Sequence, residues 1–243
     1  MQIYIKEDAS NEFKKSIASF NKLEKVSDKP TSKHYFIYDS NGLSFVKDSS
    51  NPKEILHVDF LKGSIGWRMK RVSHERNLKK ALGKVDKKLL IFDATAGLLT
   101  DSMIFLSLGH KVVAVEQSKI LFSLVKDAII RAKANIPELG NLIFLNDNSM
   151  DVYKSMSEEI DVIYLDPMYP IFKKNTKKSG KIESIKKILE LENFKDENDN
   201  FIKKFFDVDY RKIILKRPLK HRKNYSNINY QVFGKTTRFD IYL

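Results

Sequence analysis

The chain has 243 residues, 42% of them hydrophobic, and its 44 basic and 31 acidic side chains give a net charge of +13 at pH 7. This length allows one large domain, or a small domain joined to a medium one. The complete lack of cysteine excludes disulfides, cysteine-ligated zinc, iron–sulfur clusters and thiol nucleophiles. No run approaches the roughly 18 apolar residues of a membrane span, and acids stand where a secretory signal would be apolar. We therefore expect a cytoplasmic protein.

The excess of positive charge favours a polyanionic partner, most commonly nucleic acid. The chain is also rich in Lys, Asn and Ile together, which is typical of a proteome-wide bias. Lysines spread over solvated faces would then say nothing about a partner. Charge alone leaves both interpretations open.

Residues 1–75 are predicted to form a small α+β domain that contributes to RNA contact. The spacing of residues 13–22 favours a helix. Runs rich in β-branched and aromatic residues, bounded by turn residues, predict strands at 2–5, 35–38, 43–46 and 56–60.

The segment 62–76 is basic and contains the only tryptophan, Trp67. Its basic residues are Lys62, Arg68, Lys70, Arg71 and Arg76. Tryptophan beside arginine suits base stacking and phosphate pairing. Alternatively, Trp67 packs between two domains and the cations are solvated, and the sequence does not decide between these. A helix is predicted to begin near residue 74.

From residue 88 strands alternate with helices, which is typical of a doubly wound parallel sheet. Helices are expected at 101–108, at 118–134 with Ser118 as the N-cap, at 152–157 and, with a break near 196–200, at 182–206. Strands are predicted at 89–92, 111–115, 142–145, 162–165 and 212–215, the last ended by residues 216–218, and those at 89–92 and 162–165 are expected to be buried. Residues 230–233 and 238–242 predict a closing hairpin. The fold class is thus α/β, a Rossmann-like, mostly parallel sheet with a C-terminal antiparallel hairpin, in a domain spanning 76–243.

The loop after the first of these strands favours a cofactor without phosphate. It contains one glycine, Gly97, and small residues such as Ala94 that let a ligand approach the backbone. Asp101 at the start of the next helix would repel a pyrophosphate, whereas Glu116, at the end of the next strand, suits a ribose. S-adenosylmethionine, which has a sulfonium and no phosphate, fits this pattern better than a dinucleotide.

The stretch DVIYLDPMYP at 161–170 predicts a buried strand that ends at an acid and a proline-bounded turn. An exocyclic amine on a base is a poor nucleophile, because its lone pair is delocalised into the ring. Asp166 and the Pro167 carbonyl could accept hydrogen bonds from such an amine, and Tyr169 could stack on the base. On this stretch alone, a plain strand-to-turn connection explains the pattern equally well.

Five blocks together resemble the bacterial RsmJ family: VDFLKGSIGWRMKR (58–71), DATAG…D (93–101), YLDPMYP (164–170), KRP (216–218) and RFDIY (238–242). That family consists of class I methyltransferases that use S-adenosylmethionine to form N2-methylguanosine in the 16S rRNA of the small ribosomal subunit. The resemblance covers the chain from about residue 56 to the C-terminus.

The resemblance implies cofactor contacts at Thr100 and Asp101, at Glu116 and Gln117 around ribose and adenine, at Asn148 and Ser149, and at Asp166. Two features differ from the family: Gly97-Leu-Leu-Thr-Asp101 stands where Gly-Leu-Gly-Arg-Asp is common, and Asn148 where a serine is usual. Structural roles remain open for several of these residues: Asp101 could favour its helix dipole, Glu116 could be a solvated strand end, and Asp93 is expected to bond the loop backbone.

Guanine-N2 methylation of 16S rRNA is therefore the expected function, with no metal and no membrane. The alternatives are an amino methyltransferase acting on another RNA or DNA base, and an RNA-binding assembly factor without catalysis. The catalytic candidates are Asp166, Pro167 and Tyr169. The candidates for RNA contact are Trp67, Arg68, Arg71, Lys173, Lys174, Lys216 and Arg217.

Overall fold

The computed structural model describes residues 1–9, 24–51, 54–169, 180–194, 198–221 and 223–243. The chain forms two compact units. Unit 1 comprises residues 1–61, 118–135 and 175–194, and unit 2 comprises residues 62–117, 136–174 and 195–243. The predicted helix at 13–22 and most of the basic segment at 172–180 lie outside the described residues.

Unit 1 contains a five-stranded sheet in the order β2-β1-β3-β4-β5. Its strands are β1 (Gln2–Ile5), β2 (Glu24–Val26), β3 (Tyr35–Asp39), β4 (Gly42–Val46) and β5 (Ile55–His57). β3 and β4 form an antiparallel hairpin, and their side chains are almost all buried. Gly42 begins β4 at φ +106°, and a Cβ there would lie only 2.3 Å from Arg131 Nε. Only glycine fits this turn, because both its backbone and its surroundings exclude a side chain.

Two helices from later in the chain complete unit 1. α4 (Lys119–Ala132) packs against β4, and α6 (Gly180–Leu191) packs against β5 and α4. Ser118 caps α4 as predicted, because its Oγ accepts from Leu121 N at 3.0 Å. Glu192 accepts from Lys119 N at 2.9 Å, so a carboxylate meets the positive end of the α4 dipole.

Unit 2 is built on a seven-stranded sheet in the order β11-β12-β10-β9-β6-β7-β8. Its strands are β6 (Leu90–Asp93), β7 (Lys111–Val115), β8 (Leu142–Leu145), β9 (Val162–Leu165), β10 (Ile213–Pro218), β11 (Tyr230–Phe233) and β12 (Thr237–Tyr242). β6 to β10 are parallel, whereas β12 and β11 form an antiparallel hairpin on β10. This confirms the predicted fold class.

The order of the strands fixes where a ligand belongs. The chain moves outward from β6 through β7 to β8, then returns to place β9 on the other side of β6. The carboxyl ends of β6 and β9 therefore flank a topological switch point, which is the usual ligand site of open α/β sheets. Asp93 ends β6 and Asp166 follows β9.

The remaining elements of unit 2 are helical. 3₁₀ turns occupy Val72–His74 and Pro137–Asn141. The α-helices are α1 (Gly63–Lys70), α2 (Arg76–Leu82), α3 (Ser102–Ser107), α5 (Ser149–Ser155) and α7 (Asn198–Phe206). None of the helices in the described part of the chain combines the length and apolar character that a membrane span requires.

Two predicted elements have different bounds in the structure, and one helix was not predicted. The strand predicted at 212–215 continues through Pro218, because β12 pairs with it to the end and a proline is tolerated at a strand terminus. The helix expected at 152–157 begins at Ser149, since Asn148 caps it. No helix was expected at 63–70, where Gly63 and Gly66 lower helix propensity, yet α1 forms there.

Candidate active site

The loop after β6 is held by two buried acids. The Asp93 carboxylate accepts from Thr95 N at 3.1 Å and from Ser102 Oγ at 2.5 Å, which confirms that Asp93 braces the loop backbone. Burial raises the pKa of Asp93 to about 7, against the lowering effect of these two hydrogen bonds. Glu116 Oε2 accepts from Gly97 N at 2.8 Å, and with only 9% of its surface exposed Glu116 is not a solvated strand end.

The altered part of the loop keeps a left-handed backbone. Gly97 has φ +51° and Leu99 has φ +57°. Leu99 occupies the position of the second glycine in the family that the sequence resembles. The Leu99 side chain is fully buried. Because a non-glycine residue costs about 1 kcal/mol or more in this conformation, packing of Leu99 holds the loop in a shape that glycine would adopt freely. Ala94 is buried in the same loop, whereas Thr100 is exposed.

The side chains after β7 and β8 lie next to each other. Asn146 Nδ2 donates to the carbonyls of Glu116 at 2.8 Å and Gln117 at 3.2 Å. Sequence reasoning missed this role of Asn146, although the Asn-Asp-Asn stretch after the predicted strand was a signal. Asn148 Oδ1 accepts from Met150 N at 2.9 Å and so caps α5, and Ser149 is buried in its first turn.

Asp101 lies at the centre of a buried charge cluster. Its Oδ2 accepts from Tyr164 Oη at 2.6 Å and from Lys216 Nζ at 2.6 Å, and its Oδ1 accepts from Arg68 at 3.2 Å. Although Asp101 precedes α3, its carboxylate makes no capping hydrogen bond. Burial alone would raise the pKa of Asp101, but Lys216, Tyr164 and Arg68 outweigh it, so that this pKa lies below its ordinary value.

Asp166 shares Lys216 with Asp101. Lys216 Nζ donates to Asp166 Oδ2 at 2.8 Å, and the Asp166 backbone N donates to Thr95 Oγ1 at 2.7 Å. The Asp166 side chain keeps 36% of its surface exposed. Burial raises the pKa of Asp166, Lys216 opposes this, and repulsion from Asp101 adds to it. Lys216 thus joins the acid after β9 to the acid before α3.

The helix α1 presents two chemically different side chains. Arg68 faces Asp101 and also donates to both carboxylate oxygens of Glu75, at 2.6 and 2.9 Å. Trp67 is 58% exposed, and the guanidinium of Arg71 lies 4.7 Å from the centroid of its ring. Arg68 therefore belongs to the acid cluster, whereas Trp67 and Arg71 form an open cation–aromatic pair.

Tyr169 packs against another ring near the site. Its ring centroid lies 4.9 Å from that of His221, and the two planes are tilted by 60°. The Tyr169 hydroxyl is buried and has no hydrogen-bond partner among the described residues. Burial raises the pKa of this phenol. Pro167, between the two catalytic candidates, is buried.

The remaining RNA candidates differ in their surroundings. Arg217 has no exposed side-chain surface and is ion-paired with the equally buried Asp240, which argues against direct contact of Arg217 with RNA. Lys216 has 22% of its side chain exposed, and its ammonium is taken by the two aspartates. Lys173 and Lys174 lie outside the described residues.

These residues fit S-adenosylmethionine. Glu116 and Gln117 stand at the carboxyl end of β7, where ribose hydroxyls are usually bound. Gly97, at φ +51°, leaves the loop after β6 without a projecting side chain at that position. Asp166 adds a partly exposed carboxylate at the same edge of the sheet, which suits the amine and the sulfonium of this ligand. Within the described ranges, no three His, Asp or Glu side chains gather so as to hold a metal ion.

Comparisons with known proteins agree with this geometry. A family model described as "Putative SAM-dependent methyltransferase" matches residues 19–243. Ribosomal RNA small subunit methyltransferase J of Desulfotalea psychrophila is 30% identical over 221 residues, covering 85% of this chain and 82% of that protein. Its namesake from Francisella tularensis subsp. novicida is 33% identical over 204 residues, covering 79% and 81%.

A solved structure supports the same assignment. The crystal structure of a SAM-dependent methyltransferase from Neisseria gonorrhoeae is similar with a TM-score of 0.67 and 26% identity, covering 100% of this chain and 96% of that one. The similarity in fold and sequence extends over nearly all of both units. The protein therefore belongs to the family of S-adenosylmethionine-dependent methyltransferases that includes ribosomal RNA small subunit methyltransferase J.

Proposed function

We propose that this protein methylates the exocyclic N2 amine of a guanosine in the 16S rRNA of the small ribosomal subunit. The observation that carries the proposal is the position of Asp166, a partly exposed carboxylate at the switch point beside the loop that Glu116 and Asp93 hold. The names of the relatives supply the substrate class, small-subunit ribosomal RNA. Such a substrate implies a cytoplasmic protein.

Asp166 is suited to accept a hydrogen bond from the amine. Lys216 engages Oδ2 at 2.8 Å, and among the described residues no donor lies within hydrogen-bond distance of Oδ1. Asp166 Oδ1 can therefore accept a hydrogen bond from one N–H of the guanine amine. The adjacent Pro167 carbonyl can accept a hydrogen bond from the other N–H. Both acceptors favour a pyramidal nitrogen with its lone pair available, and the Asp166 carboxylate can receive the proton that the nitrogen loses when the methyl group is transferred.

The cofactor would be held by Glu116 and Gln117 at its ribose, by Asn148 and Ser149 at its adenine, and by Asp101 and the 94–100 loop at its amino-acid end. When bound, S-adenosylmethionine supplies an electrophilic methyl group. Asp101 keeps Arg68 and Lys216 in place through contacts of 2.6 to 3.2 Å. These cations neutralise the acids of the site, so that the phosphates of an approaching RNA are not repelled.

Tyr169 would form one side of the base slot. Its ring packs against His221 in an aromatic contact. A flipped guanine could stack on this pair of rings. Trp67 and Arg71 offer a second cation–aromatic surface on the helix that carries Arg68. We assign RNA contact to Trp67 and Arg71, and an internal, charge-balancing role to Arg68.

The test is methyl transfer from labelled S-adenosylmethionine to unmodified 16S rRNA and to small subunits that lack the mark, followed by mass spectrometry of the nucleosides. Wild type is expected to yield N2-methylguanosine. Asp166→Asn should lower the rate by about a hundredfold or more, since it removes the charged acceptor. Asp151→Asn, an exposed acid on α5, is the matched control and should leave the rate unchanged.

Other outcomes identify the alternatives. Another methylated nucleoside would mean an amino methyltransferase with a different target. Tight RNA binding that is insensitive to S-adenosylmethionine, together with no cofactor binding in calorimetry, would indicate an assembly factor. The left-handed backbone of Leu99 favours the enzyme, because it is a conformation that glycine, the residue common at this position in the family, adopts readily.

A further inference from the structure

Residues 62–84, which include α2, form one of the strongly basic segments of unit 2. Residues 62–84 contain eight lysines and arginines and a single acid, Glu75. This segment therefore carries a net charge of +7, more than half of the +13 of the whole chain. Glu75 is itself held by Arg68, so it neutralises none of the others.

The charges of α2 face solvent without acidic partners. The helix buries Leu78, Ala81 and Leu82 and exposes Arg76, Lys79 and Lys80, with Lys84 exposed just beyond its end. Across the described part of the chain, no acid lies within ion-pair distance of these four cations. In unit 1, by contrast, Lys47 is paired with both Glu54 and Glu183. Four adjacent unneutralised cations repel one another, and an anionic partner relieves that repulsion.

The hairpin that packs against α2 carries an exposed aromatic ring. β11 and β12 pack against α2, and Tyr230 Oη donates to the Ala81 carbonyl at 3.2 Å. Gly234 lies against α2, since a Cβ there would be 3.2 Å from Asn77 Nδ2. The preceding residue, Phe233, is 60% exposed. An exposed phenylalanine on the hairpin that contacts a basic helix is typical of surfaces that bind the nucleic-acid backbone and stack on bases.

The helix leads away from the reacting groups. Its N-terminus is tied to the active site through Glu75, which binds Arg68, the partner of Asp101. Its C-terminus meets Lys212, whose Nζ donates to the Leu82 carbonyl at 2.8 Å. Lys212 precedes β10 and Lys216 lies four residues along the strand, which is about 13 Å away. α2 therefore runs from the active-site edge of the sheet towards its opposite edge.

We propose that Arg76, Lys79, Lys80, Lys84 and Phe233, the basic ridge, bind the phosphate backbone of the substrate RNA at a distance from the methylated base. The inference rests on the proposed function for the identity of the RNA, but it adds a second recognition surface. Base chemistry takes place at Asp166, whereas the ridge engages RNA that flanks the target. The enzyme thereby recognises a folded region of RNA and not a single nucleotide.

The test measures binding of K79Q/K80Q/K84Q to unmodified 16S rRNA by filter binding over a range of KCl, without cofactor. Three lost phosphate contacts should raise Kd about tenfold or more near 0.15 M salt and reduce the slope of log K against log salt by about 2 to 3. Phe233→Leu should raise Kd without changing the slope. Thermal melts check that each variant is folded.

A matched control removes the same charge elsewhere in unit 2. K154Q/K203Q/K204Q neutralises three exposed lysines on α5 and α7, and it should retain wild-type affinity and slope. Equal losses in the two triple variants would overturn the proposal, since they would reflect net charge only. Wild type that fails to bind the RNA would also overturn it. Wild type that binds through the ridge but transfers no methyl group would contradict the proposed function while the ridge stands.

Discussion

Lys216 shows how one side chain can set the protonation state of Asp166, the proposed acceptor. Its ammonium lies between Asp101 and Asp166, at 2.6 and 2.8 Å. Burial lowers the pKa of Lys216, but the two carboxylates more than compensate, so the lysine stays charged. That charge favours the ionised form of Asp166, which burial and Asp101 would otherwise disfavour. Lys216 is therefore a positioning residue for the acceptor.

Replacing Lys216 with Met should make methyl transfer depend on pH in a new way. Without the ammonium, the pKa of Asp166 rises further, so the acid limb of the rate profile should move up by about one pH unit or more. On that acid limb the rate should fall about tenfold for each unit of the shift, and it should recover as the pH is raised. The measurement is single-turnover methyl transfer between pH 5.5 and 9.

Lys216→Arg should restore most of the wild-type profile, because it keeps the charge. Calorimetry with S-adenosylhomocysteine separates this effect from loss of cofactor affinity. A rate that falls equally at all pH values in K216M would contradict the assigned role. It would mean that Lys216 supports the fold or the RNA and not the protonation state of Asp166.

Asp93 predicts a pH dependence of stability. Burial raises its pKa from an ordinary 3.8 to about 7 in the folded protein. Between these values the native state holds a proton that the unfolded state has lost, so the free energy of unfolding falls as pH rises, by up to about 1.4 kcal/mol per unit. Asp93→Asn removes the titration. The stability of wild type relative to D93N should therefore decline from pH 4 to 7 and then level off.

Urea denaturation at four pH values measures this difference. Asp86→Asn, at an exposed position, serves as the reference, since an exposed carboxylate contributes little to the dependence. A constant difference between wild type and D93N would show that Asp93 is ionised throughout, and that its hydrogen bonds to Ser102 and Thr95 outweigh its burial.

The sequence alone predicted which acids lie at the candidate site, but it did not predict which basic residues pair with acids. Asp101, Glu116 and Asp166 could be grouped in advance, because carboxyl ends of parallel strands meet at one sheet edge. Lys216 and Arg217 followed a predicted strand and were basic, so both were assigned to RNA. The two side chains have different ion-pair partners because β10 lies between β9 and β12. Lys216 binds Asp166 after β9, whereas Arg217 binds Asp240 of β12. The order of strands in a sheet cannot be predicted from the local sequence pattern, so these partners could not be assigned in advance.

At the scale of elements, a buried ionic triad fixes the segment after β10. Asp240 of β12 binds Arg217 of β10 and also accepts from Arg238 Nε at 2.8 Å. Arg238 donates to the carbonyls of Leu219 and His221, each at 2.7 Å. The triad thus holds the backbone that carries His221 against Tyr169.

Asp240→Asn should therefore affect both stability and substrate handling. Leaving two buried guanidinium groups without their carboxylate costs about 3–5 kcal/mol, which urea denaturation will show. Asp199→Asn disrupts a largely exposed pair with Lys223 and should cost less than about 1 kcal/mol. We expect D240N to raise KM for RNA more than it changes cofactor affinity. Equal stability losses in the two variants would contradict this account.

Elements were predicted where local pattern and packing agree. α4 has a polar cap and an apolar stripe, and it forms with Ser118 at its N-cap as expected. α1 was missed because Gly63 and Gly66 weaken the local signal, yet Arg68 from that helix is fixed by Asp101 and Glu75. Tertiary contacts outside the segment decided its structure.

At the scale of the whole molecule, chain order and compact units do not coincide. The sequence suggested a small domain at 1–75 followed by a methyltransferase domain at 76–243, and that boundary stays a prediction. Unit 1 nevertheless includes α4 and α6, which occur far along the chain. Leu43 N donates to Asp127 Oδ2 of α4 at 3.0 Å, and Arg131 of α4 donates to the Val58 carbonyl at 2.5 Å.

These contacts predict that residues 76–243 will not behave as a stable domain when expressed alone. Removing residues 1–75 strips β4 from α4, so a buried aspartate, Asp127, loses its backbone partner and the apolar side of the helix meets water. Exposed apolar surface of this kind drives aggregation. We expect the fragment to be insoluble, or to bind a hydrophobic dye and melt without cooperativity, whereas the full chain melts as a cooperative unit. A soluble, monodisperse fragment with a sharp melt and wild-type cofactor affinity would show instead that α4 and α6 need no partner from the N-terminal strands.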